Sequence, residues 1–300
     1  MSDGIFQSQS AIGSSLLEKD EPPAFSIMNA DGKTPCILVC DHASNVVPRK
    51  LGNLGMTDDD LQQHYAVDIG VKKITEVMSE ALDAPAIFGN YSRLVVDLNR
   101  DIQHPTAFVM TGEGKPVPGN IAMNDADKQL RIDELYNPFH DALSSMIDGC
   151  LEKGIVPAVI AIHSFTPVFY NQRRPWEVGV LWVQDDRIPA ATIKYFEDQG
   201  YCVGDNEPYD ARYLRGTTVN RHADARLLPN ALVEVRNDLI STDKESIDWA
   251  NRLVECYNPI LSDENLYTLY DGPIVEHDPE AERTYFEKLV EKAKKGDGDE

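Results

Sequence analysis

The chain has 300 residues, enough to bury one large α/β core or two small ones. With 50 acidic side chains against 28 basic ones the formal charge is −22, which leaves no basic footprint for nucleic acid. No run approaches the roughly 18 apolar residues of a membrane span, and MSDGIFQSQS lacks the basic-then-apolar layout of a secretory signal, so a cytoplasmic protein is expected.

Residues 1–24 are Ser-rich with Pro22-Pro23 and read as a flexible arm, leaving 25–300 as a single catalytic domain. TPCILVCDH (34–42) reads as a strand that delivers Asp41 and His42 into a loop closed by Pro48. Its Cys36 and Cys40 lack a second cysteine pair to complete a zinc set, and read as buried thiols. Thr57, followed by acids and then apolar residues at helical spacing, predicts one amphipathic helix over 57–82. Residues 86–100 read as a strand pair or a broken strand, and 103–124 as a long aperiodic loop, the kind that often covers a site. Residues 128–154 predict a helix interrupted near Pro138 and closed by Gly154.

AVIAIHSF (158–165) and VGVLWV (178–183) read as buried strands joined by the basic-aromatic turn YNQRRPWE. A helix over 190–200, a short strand, a second long loop (205–225), the strand ALVEVRNDLI and a helix from about 242 to 261 follow. A last helix and an acidic tail begin at about 285. Alternating strands and helices predict an α/β fold: three layers, a mixed twisted β-sheet with helices on both faces. Ligands gather at the carboxyl ends of strands in such sheets, and His42, Asn99, Arg100, His163 and Glu234 all fall at or near such ends.

Two imidazoles leaving strand tips can converge on one metal ion; singly, each is as readily a satisfied hydrogen-bonding group. Glu234 alternates with Leu232, Val233 and Val235, so burial should raise its pKa toward the range of a general base, unless it pairs with Arg236 on the same strand face. Asn99 and Arg100 read as a carboxylate clamp, because a guanidinium offers a planar fork that matches a carboxylate. Asp97 would orient such an arginine. Arginines gathered around one site in so acidic a chain suggest a small acidic substrate.

The ordered set DHASNVVP, YSRLVVDLNR, AIHSF and LVEVRND resembles the N-formylglutamate amidohydrolase family, and more distantly the zinc carboxypeptidases, over about residues 34–262. The resemblance implies a phosphorylase/hydrolase-like fold and hydrolysis of N-formyl-L-glutamate with zinc, or another divalent metal, held by His42, Asp68 and His163. Asn45 stands where carboxypeptidases carry the Glu of His-x-x-Glu, which is why Asp68 is recruited, with His64 as a neighbouring donor. Glu234 would activate water and Arg93 would serve the oxyanion or a substrate carboxylate. Arg221 and His222 are implied substrate contacts, Tyr213 and Arg215 weaker ones, and His140 either a contact or a packing residue. Competing readings are a deacylase or carboxypeptidase-like hydrolase of another N-acyl amino acid or short peptide, and a non-catalytic carboxylate-binding protein.

Overall fold

The computed structural model describes residues 13–295 apart from Arg215. Seven strands form the sheet: β1 (Phe25–Met28), β2 (Cys36–Cys40), β3 (Ala86–Gly89), β4 (Ala158–Phe165), β5 (Val178–Leu181), β6 (Val203–Asp205) and β7 (Asn230–Arg236). Their spatial order is β1-β3-β2-β4-β7-β5-β6. The central four, β3, β2, β4 and β7, run parallel; β1 is antiparallel at one edge, and β5 and β6 run against β7 at the other. The α/β class with a mixed sheet is therefore as expected, and the carboxyl ends of the four parallel strands open on one side.

Six helices matter below: α1 (Val71–Ala81), α2 (Asn137–Leu151), α3 (Arg187–Asp198), α4 (Thr218–His222), α5 (Asp243–Leu261) and α6 (Pro279–Lys295). Because side chains alternate along a strand, the sheet feeds two cores. Ile37, Val39, Val159 and Leu232 pack with Phe139, Leu143 and Ile147 of α2 on one face. Leu38, Ile160, Val233 and Val180 pack on the other with Ile74 of α1, Phe196 of α3 and Leu253 of α5.

Five local readings change. The helix expected over 57–82 is a short turn at Asp58–Leu61 followed, after a break, by α1. The break is dictated at Gly70: its φ is +81°, and a Cβ there would stand 2.4 Å from the Ile240 carbonyl oxygen. Asp68 thus sits in a loop, pinned by its amide donating to the His42 carbonyl (3.2 Å), rather than on a helix. VVDLNR is not a strand either; β3 stops at Gly89 and the chain turns through 91–100. The 103–124 loop carries a two-stranded ribbon, Thr111–Gly112 with Lys115–Pro116, and a helical turn at Pro118–Ile121. Finally, β1 was not foreseen, and α6 starts at Pro279 rather than near 285.

The interruption near Pro138 takes the form of a π-helical turn at Ile132–Tyr136 immediately before α2, where proline cannot donate a helical hydrogen bond. Residues 1–12 of the arm and the acidic tail 296–300 lie outside the described residues. Within 13–24, Leu16 is fully buried and the backbone amides of Leu16 and Leu17 donate to the Glu134 carboxylate.

Candidate active site

Parallel strand ends and two loops bring the chemistry together. His42 leaves β2, His163 lies near the end of β4, and Glu234 of β7 is its direct register partner. The loop before α1 supplies Asp68, and the segment after β3 supplies Arg93, Asp97 and Asn99. A side chain at Gly89 would meet the Asp41 carbonyl oxygen at 2.3 Å, so the end of β3 must be bare for the Asp41-His42 turn to fit.

The result is a buried charge cluster. Asp68 Oδ2 stands 2.8 Å from His163 Nδ1 and 3.3 Å from His42 Nδ1, bridging both rings. His42 Nε2 lies 2.7 Å from Asp97 Oδ1, and His163 Nε2 lies 3.0 Å from Asp41 Oδ1 without the alignment of a hydrogen bond. Arg93 joins two of its carboxylates, reaching Asp68 at 3.2 Å and Asp97 at 3.0 Å. Thr218, at the start of α4, donates its hydroxyl to Asp41. Asn99 accepts from the Thr218 amide at 2.8 Å and places its side-chain nitrogen 3.5 Å from His163 Nε2. Asp41, His42 and His163 form a group whose ligand atoms lie within 4.8 Å of one another and can hold a metal ion.

Charge dictates the protonation pattern. Burial and Arg93 work against a charged His42, yet Asp97 and Asp68 outweigh them and raise its pKa. Burial likewise opposes a charged His163, but Asp41 and Asp68 hold its pKa well above the usual imidazole value. Despite burial, His42 and His163 keep Asp68 well below the carboxylate range, and Arg93 and His42 do the same for Asp97. Glu234 behaves oppositely: burial pushes it up to about 7, with His163 opposing and Asp68 adding. It is 8 % exposed, and its Oε2 has no hydrogen-bond partner. The alternative pairing with Arg236 does not form; that guanidinium donates to Asp238 at 2.8 Å and to the carbonyls of Pro175 and Trp176.

A cavity of about 280 Å³ opens on this cluster, lined by His64, Arg93, Asp97 and Arg100 and walled by Phe169 and Tyr209. The 103–124 loop contributes His104, Thr106 and Thr111 to it, and α6 contributes Glu282. Burial holds His64 down to about 4, so it presents a neutral ring there. Arg100 donates to its neighbour's carbonyl, Asn99 O, at 2.8 Å, and has no carboxylate partner among the described residues.

Other residues singled out in the sequence lie elsewhere. Asn99 holds the cluster together rather than lining the cavity. Arg221 is exposed and donates to the Tyr136 hydroxyl at 2.7 Å. Tyr213 stacks on Tyr285 of α6 with centroids 5.1 Å apart, and Arg215 lies outside the described residues. Asn45 makes no hydrogen bond to the cluster among the described residues.

His222 points into the α2 side of the sheet, stacked on His140 with His140 Nδ1 2.9 Å from His222 Nε2. Burial, reinforced by Arg221, lowers His140 to about 3 and His222 to about 4. The unfolded chain takes up these protons near pH 6.5, whereas the folded protein takes them up only near the two depressed values. Their stabilising contribution is therefore complete above pH ~6.5 and lost as the pH falls toward the folded values, at about 1.4 kcal/mol per pH unit for each ring. His222→Gln should flatten the acid limb of stability by about that slope. Urea unfolding at successive pH values measures it, and an unchanged slope refutes the neutral-pair assignment.

No role for Asp41, Thr218 or Arg174 follows from the sequence pattern. Asp41 could have been noticed as a charge adjoining His42 at a strand tip, and Arg174 as the inner arginine of a basic-aromatic turn; Thr218 carried no signal. Among the described residues, no helix is long and apolar enough to cross a membrane.

Comparison with known proteins bears on the family and the fold. No curated protein matches the chain. Among solved structures, gene product Atu2144 from Agrobacterium tumefaciens is 35% identical, with a TM-score of 0.79, over 82% of this chain and 98% of that one. N-formylglutamate amidohydrolase from Ralstonia eutropha JMP134 shares the fold at 16% identity and a TM-score of 0.54, again over 82% and 98% of the two chains. The sequence profile of N-formylglutamate amidohydrolases matches residues 34–241, which takes in the His42, Asp68, His163 and Glu234 cluster. The chain belongs to the N-formylglutamate amidohydrolase family and is a hydrolase of carbon–nitrogen bonds.

Proposed function

We propose that the chain hydrolyses N-formyl-L-glutamate to formate and L-glutamate within a single catalytic domain, using a divalent metal ion, zinc, held by His42, His163 and Asp68. One observation carries the reading. Asp41, Asp68, Asp97 and Glu234 are buried around two imidazoles, and Arg93 is the one permanent cation bonded to them among the described residues. Buried carboxylates need compensating charge. Protonated histidines supply it in the bare protein, and a divalent cation between neutral histidines supplies it equally well. The donor set of imidazoles and carboxylates suits zinc. Asp68 is favoured as the third ligand because one of its oxygens touches both rings.

The chemistry such an ion supplies when bound is polarisation of the scissile carbonyl and a lowered pKa for the attacking water. Glu234, aimed at the cluster with a free oxygen, takes a proton from that water as the C–O bond forms. It returns the proton to the leaving nitrogen as the C–N bond breaks. Arg93, locked by Asp68 and Asp97, fixes positive charge beside the reacting carbonyl, where an oxyanion develops. Arg100 faces the cavity without a carboxylate partner and can take one from the substrate.

The direct test is formate release from N-formyl-L-glutamate by metal-loaded protein, before and after chelation; no formate under either condition refutes the reading. A second reading, deacylation of a larger N-acyl amino acid or short peptide, draws on an adjoining cavity of about 270 Å³ that shares Phe169. A series of lengthening acyl groups separates the two, since the first reading requires formyl to be preferred.

Two single variants separate the competing acids. Asp68→Ala should bring the bound metal well below one equivalent, whereas Asp41→Ala should retain most of it. Elemental analysis of both proteins measures this, and the reverse pattern transfers the ligand role to Asp41.

A further inference from the structure

Most arginines near the site have a carboxylate. Arg93 has Asp68 and Asp97, Arg212 has Asp210, and Arg236 has Asp238. Arg174 is different. It is only 8 % exposed, yet no carboxylate lies within ion-pair distance among the described residues. Its oxygens are sparse: the Tyr209 hydroxyl at 2.7 Å, and the Thr166 hydroxyl and carbonyl at 3.3 and 3.5 Å. Three rings hold the guanidinium instead, with centroids of Phe169 at 4.5 Å, Tyr209 at 4.9 Å and Phe165 at 5.9 Å.

Arg131 shows what a purely structural buried arginine looks like here. It donates to the Val95 and Gly119 carbonyls and to Asn120 Oδ1, and burial lowers it to about 10. It borders neither cavity near the site. Arg174 sits at the partition between them: it lines the second, and Thr166, Phe169 and Tyr209, its own partners, line the first. Its charge reaches Glu234 and His64. Aromatic faces and uncharged oxygens preorganise a guanidinium without neutralising it, which leaves its charge and the N–H groups not given to Thr166 and Tyr209 for a planar anion.

We infer that Arg174 is an anion-binding residue of this enzyme that takes the second carboxylate of a dicarboxylic substrate, while Arg100 takes the first. The inference rests on the hydrolysis proposed above and deepens it, because it names what selects an acidic side chain. Arg93 cannot fill that role, since two carboxylates, Asp68 and Asp97, already neutralise its charge.

The experiment compares kcat/KM for N-formyl-L-glutamate with that for N-formyl-L-methionine, which has an uncharged side chain of similar length, in wild type, Arg174→Met and Arg174→Lys. In Arg174→Met the ratio of the two constants should fall about tenfold or more, as expected for loss of a charge-assisted hydrogen bond. Arg174→Lys keeps the charge but not the fork and should fall between. A ratio within about twofold of wild type in both variants overturns the inference, because a structural arginine would lower both substrates together. If Arg174→Met fails to give a folded circular dichroism spectrum, the Lys variant alone decides. If wild type hydrolyses neither substrate, the proposed activity has failed, and binding decides on Arg174. Glutarate, but not butyrate, should then raise the melting temperature of wild type and leave that of the variant unmoved. Equal shifts in both proteins reject the inference.

Discussion

Glu234→Gln is expected to abolish most turnover, lowering kcat by ~10²–10⁴-fold, while leaving metal content intact. The amide keeps the size of the side chain and removes its ability to accept a proton. The same change should stabilise the metal-free protein. Glu234 holds its proton up to about pH 7 when folded, against about 4.5 in an unfolded chain, so the folded state is fully favoured below the unfolded value. That advantage is lost as the pH rises through the folded value, a cost of about 3 kcal/mol above both. Glutamine carries no such cost, so the variant should unfold at higher denaturant at pH 8 and match wild type near pH 4. A gain in stability coupled to a loss of activity marks a group whose buried position is held for chemistry. Undiminished kcat would remove Glu234 from the mechanism.

His163→Ala should have the second large effect, on two separate measurements. Metal content should fall from about one equivalent to near none, because two donors cannot make an adequate tetrahedral site. In the metal-free protein the variant should also be less stable. His163 contacts Asp41 at 3.0 Å and Asp68 at 2.8 Å, and its loss leaves both carboxylates buried with less compensating charge. Breaking a buried pair in this way costs about 3–5 kcal/mol. His42→Ala should act on the metal in the same way, through Asp68 and Asp97. Full metal content in both variants would end the proposal that these histidines are ligands.

Family membership extends the consequences to the shape of the substrate. The 103–124 segment, read from its composition as a long aperiodic loop of the kind that covers a site, carries a ribbon and a helical turn, and lines the cavity through His104, Thr106 and Thr111. α6, which also lines the cavity through Glu282, is tied down by the Asp210 amide donating to the Tyr285 hydroxyl at 2.9 Å. A cavity lined by such ordered segments suits a small molecule more than a long polypeptide.

Elements whose signal is periodic and local are legible in the chain alone. Ala158–Phe165 is a strand over the span that its apolar run suggested, and α5 starts at the Thr242 cap, whose capping box Glu245 completes. The burial of Glu234 followed from the alternation of its neighbours, and the strand-tip positions of His42 and His163 from the apolar runs before them. Which charges meet is set by folding. Asp68 meets His163 across 95 residues and Asp41 meets Thr218 across 177, distances over which no periodicity carries information. Local pattern also misled where a long-range contact prevailed. Residues 57–82 have helical spacing throughout, but the chain breaks at Gly70 so that Asp68 can lie beneath two imidazoles. VVDLNR has strand composition, but its backbone turns so that Asp97 and Asn99 can bond to His42, His163 and Thr218. Arg174 read only as one residue of a basic-aromatic turn; its burial comes from Phe165 and Tyr209, which folding brings to it from two other segments.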